Sequence, residues 1–237
     1  MRHRNLHSWD VSVAEAKQIQ ERLRQKVVIS PLTGTIDYVA GADVSFDRGS
    51  NVVHAAIVVL QFPDLSIVEK KGATEVVDFP YVPGLLAFRE GPPVLSAWEK
   101  LKKKPDVILF DAHGFAHPRR FGLACHLGVI LDVPSAGCAK SVLVGSYSEP
   151  GLTAGEFSPL LDGGEEVGAA VRTRDGVSPV FVTVGHRVDL ASAIKLALNC
   201  VKGFRVPEPT RQAHLAVNIL RRGDDLKNGD ESQLDMF

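Results

Sequence analysis

Cysteine is scarce in this chain. Its 237 residues contain only Cys125, Cys138 and Cys200. An odd count without paired spacing argues against a disulfide framework or a zinc site. A reducing compartment suits such a chain, so a cytoplasmic location is expected. Long apolar runs are lacking too, and none approaches the roughly 18 residues that a membrane span needs. The opening, Met1-Arg-His-Arg-Asn-Leu-His7, is basic but leads into no apolar stretch, so neither a signal peptide nor a membrane role is expected. An excess of one charge is also missing. There are 27 Lys and Arg against 28 Asp and Glu, so any basic surface has to be local. Lys100, Lys102, Lys103 and Lys104 form one such run, read as a solvated helix end; Arg119 and Arg120 form another. No internal repeat is found.

What is present is ample core. Hydrophobic residues make up 45% of the chain, enough for one large globular domain, or at most two. The folded part is expected to span residues 1–222. From Gly223 the sequence turns polar and aperiodic, so 223–237 is expected to be a disordered tail.

Hydrophobic periodicity orders the rest. Residues 11–25 read as an amphipathic helix, with Val13, Ala16, Ile19 and Leu23 on one face. Strand patterns follow at 38–46 and 51–60, then at 65–70 and 73–77. The turn chemistry between them predicts an antiparallel meander. A helix is expected from about Leu85 to Lys103, kinked at Pro92 and Pro93 or starting after them. Val107–Phe110 reads as a short buried strand, 121–131 as a helix, and 133–138 as another buried strand. Val142–Gly145 is apolar again, and 151–176 is expected to be loops. A strand at 179–184 and helices at 189–201 and 209–222 complete the pattern. The expected fold is a mixed α/β sheet flanked by helices.

The chain centres on Val107-Ile-Leu-Phe-Asp111-Ala-His-Gly-Phe-Ala-His117-Pro-Arg-Arg120. Asp111 ends a buried strand, where open α/β sheets place their ligands. Asp43 lies inside a strand of small and apolar residues, a costly place for an acid unless it is paired or metal-bound. Glu90 follows the tetrapeptide Pro80-Tyr81-Val82-Pro83, which its two prolines stiffen. Three carboxylates from separate elements suit a hard divalent cation. A bulge residue, a solvated helix acid and a strand-end turn explain the same spacing, and both readings stay open on spacing alone. His113, His117 and His126 lack a matching Cys/His set for zinc and are read as loop hydrogen bonders.

Taken together, these motifs resemble the endonuclease V family of deaminated-base repair nucleases across residues 10–222. The resemblance rests on Gly41-Ala-Asp43-Val-Ser-Phe46, Pro80–Gly84, Phe88-Arg89-Glu90, Asp111–Gly128, Val133–Lys140, Gly185-His-Arg-Val188 and Arg211-Gln-Ala-His214. It implies a ribonuclease H-like fold and incision of DNA containing deaminated bases, chiefly deoxyinosine. The implied cut lies 3′ of the lesion and leaves 3′-hydroxyl and 5′-phosphate ends. Asp43, Glu90 and Asp111 would surround Mg²⁺, for which Mn²⁺ can substitute. Asp43 and Asp111 would be the direct ligands. Lys140 would stabilise phosphate charge, and His214 would lie near the attacking water or the metal. Tyr81 would be the wedge that fills the gap left by a flipped base. Pro80, Val82, Pro83, Gly84, Leu86, Gly114, His117 and Gly137 would complete the DNA-binding set, with Gly84, Leu86, Gly114 and Gly137 lining the base pocket by their backbones. Ala112 stands where the family commonly has Gly, and Cys138 where Val is usual, which touches pocket shape only.

Three other functions compete. An endoribonuclease for inosine-containing RNA would use the same site. An actin-like ATPase would want a Gly-rich phosphate hairpin after its first strand, which Asp43-Val-Ser-Phe46 is not. A non-enzymatic lesion binder would not need Asp43, Glu90, Asp111, Lys140 and His214 together. Gln233-Leu-Asp-Met-Phe237 resembles the short peptide by which bacterial proteins dock on the replicative sliding clamp.

Overall fold

The computed structural model describes residues 1–47 and 49–226. The tail peptide Gln233–Phe237 lies outside the described residues.

One eight-stranded sheet runs through the molecule in the order β3-β2-β1-β4-β5-β8-β7-β6. Strands β1 (Tyr38–Phe46), β2 (Val52–Gln61) and β3 (Ile67–Val76) form the antiparallel meander read from the turns. The two pieces predicted for the third region are one continuous strand. β1 then pairs in parallel with β4 (Val107–Phe110), and β4 with β5 (Ser135–Ala139). Beyond them β8 (Val180–His186), β7 (Glu165–Val171) and β6 (Phe157–Asp162) return to antiparallel pairing.

Helices cover both faces. Val39 and Leu109 point to one side, towards Ile194, Ala197, Ala213 and Val217 of α4 (Leu190–Asn199) and α5 (Glu208–Arg221). Ala40 and Phe110 point to the other, towards Val94, Trp98 and Leu127 of α2 (Leu86–Glu99) and α3 (Leu123–Leu131). This alternation follows from the two-residue period of a strand. α1 (Val13–Leu23) opens with a complete capping box between Ser12 and Glu15. No helix among the described residues is long and apolar enough to cross a membrane.

Two expectations are corrected. α2 neither waits for Pro92 and Pro93 nor reaches Lys103; it starts at Leu86, runs through both prolines and stops at Glu99. Proline removes two helical N–H donors there, but Phe88, Val94, Leu95 and Trp98 are buried on either side and packing holds the turn. Residues 151–176 are not all loop. They contain the hairpin β6–β7, whose Gly163 and Gly164 have φ of +64° and +86°. Two successive left-handed residues make the tight turn whose twist matches flanking strands. The many charges of this edge hairpin masked its alternation, although Ser158 and Leu160 face inward and Pro159 and Leu161 outward.

Candidate active site

The parallel register of β1 and β4 pairs Ala42 with Phe110. The next position brings Asp43 beside Asp111, and the Asp111 amide donates to the Ala42 carbonyl at 3.1 Å. Helix α5 crosses β1 and adds His214, whose Nδ1 donates to Asp43 Oδ2 at 2.7 Å. Lys140, just past β5, donates from Nζ to Asp111 Oδ2 at 2.7 Å. One ligand atom each from Asp43, Asp111 and His214 lies within 4.8 Å of the others.

Glu90 reaches this cluster from the second turn of α2. Burial raises its carboxyl well above the usual carboxylate range, and the neighbouring charges of Asp43 and Asp111 add to the rise. Burial also raises Asp111, as does Asp43, against the opposing pull of Lys140 and His214. Carboxylates that penalise one another's ionisation are relieved by a cation placed among them. Two carboxylates and an imidazole, partly open to solvent, are suitable donors for a divalent ion of this kind. The residues present therefore fit a metal held by Asp43, Asp111 and His214, with Glu90 behind them.

A cavity of about 330 Å³ opens beside the cluster, and Asp111 and Lys140 belong to its lining. Tyr81, Val82, Pro83, Gly84, Leu86 and His117 line it as well. Tyr81 stands at 63% exposure, with its ring 6.3 Å from that of Phe46; it is no core tyrosine. The Gly84 carbonyl accepts from His117 Nε2 at 2.9 Å, Arg119 Nη2 at 2.6 Å and Gln20 Nε2 at 3.1 Å. Burial and the charge of Arg119 bring His117 down to about 4. It is therefore neutral near pH 7, donating from Nε2 and accepting the Arg119 amide at Nδ1. His113 Nε2 pairs with the Ser141 carbonyl and His126 Nε2 with His7 Nε2.

Three residues of the expected DNA-binding set are not among those lining this cavity. Gly114 and Gly137 are packed tightly against neighbouring backbone. A β-carbon on Gly114 would fall 2.0 Å from the Val184 carbonyl oxygen, and one on Gly137 would fall 2.3 Å from that of Ala112. Both glycines serve close packing of backbone on backbone. Pro80 faces a separate groove with Trp9, Phe79 and Phe88. Among the lining residues missed from sequence are Gln20, Leu123 and the segment Ser141–Leu143. Gln20 had a detectable signal, because it is a polar residue on the buried side of α1. Val142 and Leu143 had another: an apolar run directly after Lys140.

A helix-flanked mixed sheet with one carboxylate inside a central strand and another just past the end of its parallel neighbour belongs to the ribonuclease H-like class of nucleases. The endonuclease V family model matches residues 21–215. The endonuclease V of Methanothrix thermoacetophila is 54% identical over 215 residues, covering 91% of this chain and 95% of its own. The crystal structure of the Streptomyces avermitilis endonuclease V superposes with a TM-score of 0.85 at 45% identity, covering 91% of this chain and 94% of its own. The Ciona intestinalis endonuclease V, solved in complex with a 23mer DNA containing an inosine followed by a ribo-adenosine, gives 0.80 at 30% identity and covers 89% and 97%. This chain belongs to the endonuclease V family. It is a hydrolase of phosphodiester bonds, an endonuclease of deaminated-base repair.

Proposed function

We propose that the chain nicks DNA at deoxyinosine, hydrolysing a phosphodiester bond on the 3′ side of the lesion and leaving 3′-hydroxyl and 5′-phosphate ends. The observation that carries this is the sharing of Asp111 and Lys140 between the acidic cluster and the cavity lining. A base held in the cavity thereby has its own backbone within reach of the cluster. Asp43, Asp111 and His214, with Glu90 behind them, would hold Mg²⁺, for which Mn²⁺ can substitute. That ion would supply Lewis-acid chemistry, neutralising charge on the phosphate and making water more acidic.

The remaining work falls to the protein. The Lys140 ammonium is a compact charge that stabilises the phosphate oxygens. Asp43 orients the imidazole of His214 through Nδ1, which leaves the Nε2 lone pair for the ion. Tyr81 stacks into the space that the flipped base vacates. The backbone of Gly84 and Leu86 walls the cavity, and neutral His117 helps to fix it. Hydrolysis is direct, without a covalent intermediate.

The test is nicking of a duplex with one deoxyinosine, in Mg²⁺ or EDTA, by wild type and Asp111→Ala. Mg²⁺-dependent cutting beside the lesion, lost in the variant, is the expected result. Binding without cutting by the wild type would replace an enzyme with a lesion-binding protein. A second reading, cleavage of inosine-containing RNA, is favoured by one observation: the ligand of the Ciona relative carries a ribonucleotide directly after its inosine. The same assay on inosine RNA decides between them. We also propose that Gln233–Phe237 docks the enzyme on the replicative sliding clamp.

A further inference from the structure

The Gly84 carbonyl is held by more donors than an ordinary loop carbonyl, and two of its partners have no part in the chemistry above. Gln20 comes from α1, far from Gly84 in the chain, and is only 1% exposed. Its Nε2 donates to the Gly84 carbonyl at 3.1 Å and to the Phe121 carbonyl at 3.3 Å. Its Oε1 accepts from Arg119 Nε at 2.5 Å. Arg119 in turn donates from Nη2 to the Gly84 carbonyl at 2.6 Å. Both N–H donors of the Gln20 amide are thus engaged by the backbone of two separate segments. It has no donor left for a ligand. Gly84 itself has φ of +78°, and a β-carbon there would lie 3.0 Å from Arg119 Nη2.

We infer that Gln20 and Arg119 are positioning residues that clamp the Tyr81–Gly84 segment to the cavity and so set discrimination for the deaminated base. This rests on the cavity being the base pocket proposed above. Besides the clamp, the segment is fixed by His117 Nε2 on the same Gly84 carbonyl at 2.9 Å, by the Leu85 amide closing a turn on the Val82 carbonyl at 2.9 Å and by the Phe46 ring 6.3 Å from that of Tyr81. With the clamp in place Tyr81 and the backbone of Gly84 are ordered before DNA arrives, and binding does not have to order them. Without it the acidic cluster is untouched, because neither residue contacts Asp43, Asp111 or His214.

The experiment compares wild type, Gln20→Leu and Arg119→Lys. Gln20→Leu removes every bond of the amide. Arg119→Lys keeps the charge but loses the planar fork that spans Gln20 and Gly84, and at this half-buried site it tests the clamp even if Gln20→Leu folds poorly. Nicking of the deoxyinosine duplex is measured alongside the same duplex with adenine, and amide exchange of residues 81–88 by mass spectrometry. Each variant should raise KM for the lesion roughly tenfold, the size of one lost charged or buried hydrogen bond. It should leave kcat within about twofold, lower the preference for inosine over adenine, and speed exchange in 81–88. Unchanged KM, preference and exchange in both variants would overturn the inference, as would a fall in kcat at constant KM. A wild-type protein that leaves inosine DNA intact removes the pocket assignment and this inference with it. A wild type that nicks, beside variants that discriminate as well as it does, removes the inference alone.

Discussion

The carbonyl oxygen of Pro209 lies 1.9 Å from where a β-carbon on Gly41 would stand. The first turn of α5 is therefore seated directly on the backbone of β1, a contact that only glycine permits. The same helix carries His214 to Asp43, two residues on from Gly41 along the strand. Gly41→Ala should lift the helix start and misplace His214. Overpacking of this kind costs about 1–3 kcal/mol, to be read from the chemical denaturation midpoint. Nicking should fall well beyond what that loss of folded protein explains. A wild-type midpoint and rate would show that the helix is seated by other contacts.

Lys140→Met should reduce kcat by roughly 10²–10³, the scale for removing one preorganised charge from a reacting group. KM for the lesion duplex should move little, because the cavity wall keeps its shape. Lys140→Arg should recover only a small part, since a planar fork does not replace a compact ammonium. Single-turnover rates at saturating enzyme measure this directly, and full activity in Lys140→Arg would contradict it.

Tyr81→Ala should separate binding from folding. At 63% exposure the side chain contributes little to stability, and the unfolding free energy should shift by no more than about 0.5 kcal/mol. Loss of an aromatic that stacks on bases costs about 1–3 kcal/mol in binding. Fluorescence anisotropy with an inosine duplex, in an Asp111→Asn background that blocks cutting, gives the Kd. Tyr81→Phe should bind almost as wild type.

Acid should unfold this protein through its histidines. Burial lowers the pKa of His7, His113, His117, His126 and His186 in the folded state. The Nε2 atoms of His7 and His126 lie 2.7 Å apart, and one must stay unprotonated to accept from the other. Each folded pKa lies below the unfolded value near 6.5. The unfolded chain therefore binds more protons below that value, and stability is full above it. It falls as the pH drops through the window from about 6.5 towards about 4, the value for His117. Each such histidine steepens the fall by up to about 1.4 kcal/mol per pH unit, against the opposite contribution of the raised carboxyls of Glu90 and Asp111. Urea midpoints from pH 7.5 to 4.5 should show the decline, with a shallower slope in His117→Asn. A flat profile would contradict the neutral assignment.

Removing residues 233–237 should abolish capture by immobilised sliding clamp while leaving nicking of free inosine duplex unchanged. Equal recovery of full-length and shortened protein would end the clamp proposal.

The sequence by itself determined the elements and the chemistry on offer. The strand patterns at 38–46 and 51–60, the helical period of 11–25 and the apolar run before Asp111 depend on neighbours along the chain, so they were legible there. Motif order pointed to the family, and with it to Asp43, Glu90, Asp111, Lys140 and His214. Charge at a sheet edge hid the β6–β7 hairpin, and the penalty for Pro92 and Pro93 was overridden by burial around them. What only the tertiary structure decided was juxtaposition. Asp43 and His214 are 171 positions apart and meet because α5 is seated on Gly41. Asp43 and Asp111 stand side by side through the β1–β4 register. Gln20 reaches Gly84 through the packing of α1, and Gly114 and Gly137 admit the close approach of Val184 and Ala112 backbone. Local pattern follows from sterics between chain neighbours, whereas register and helix seating depend on contacts between distant segments.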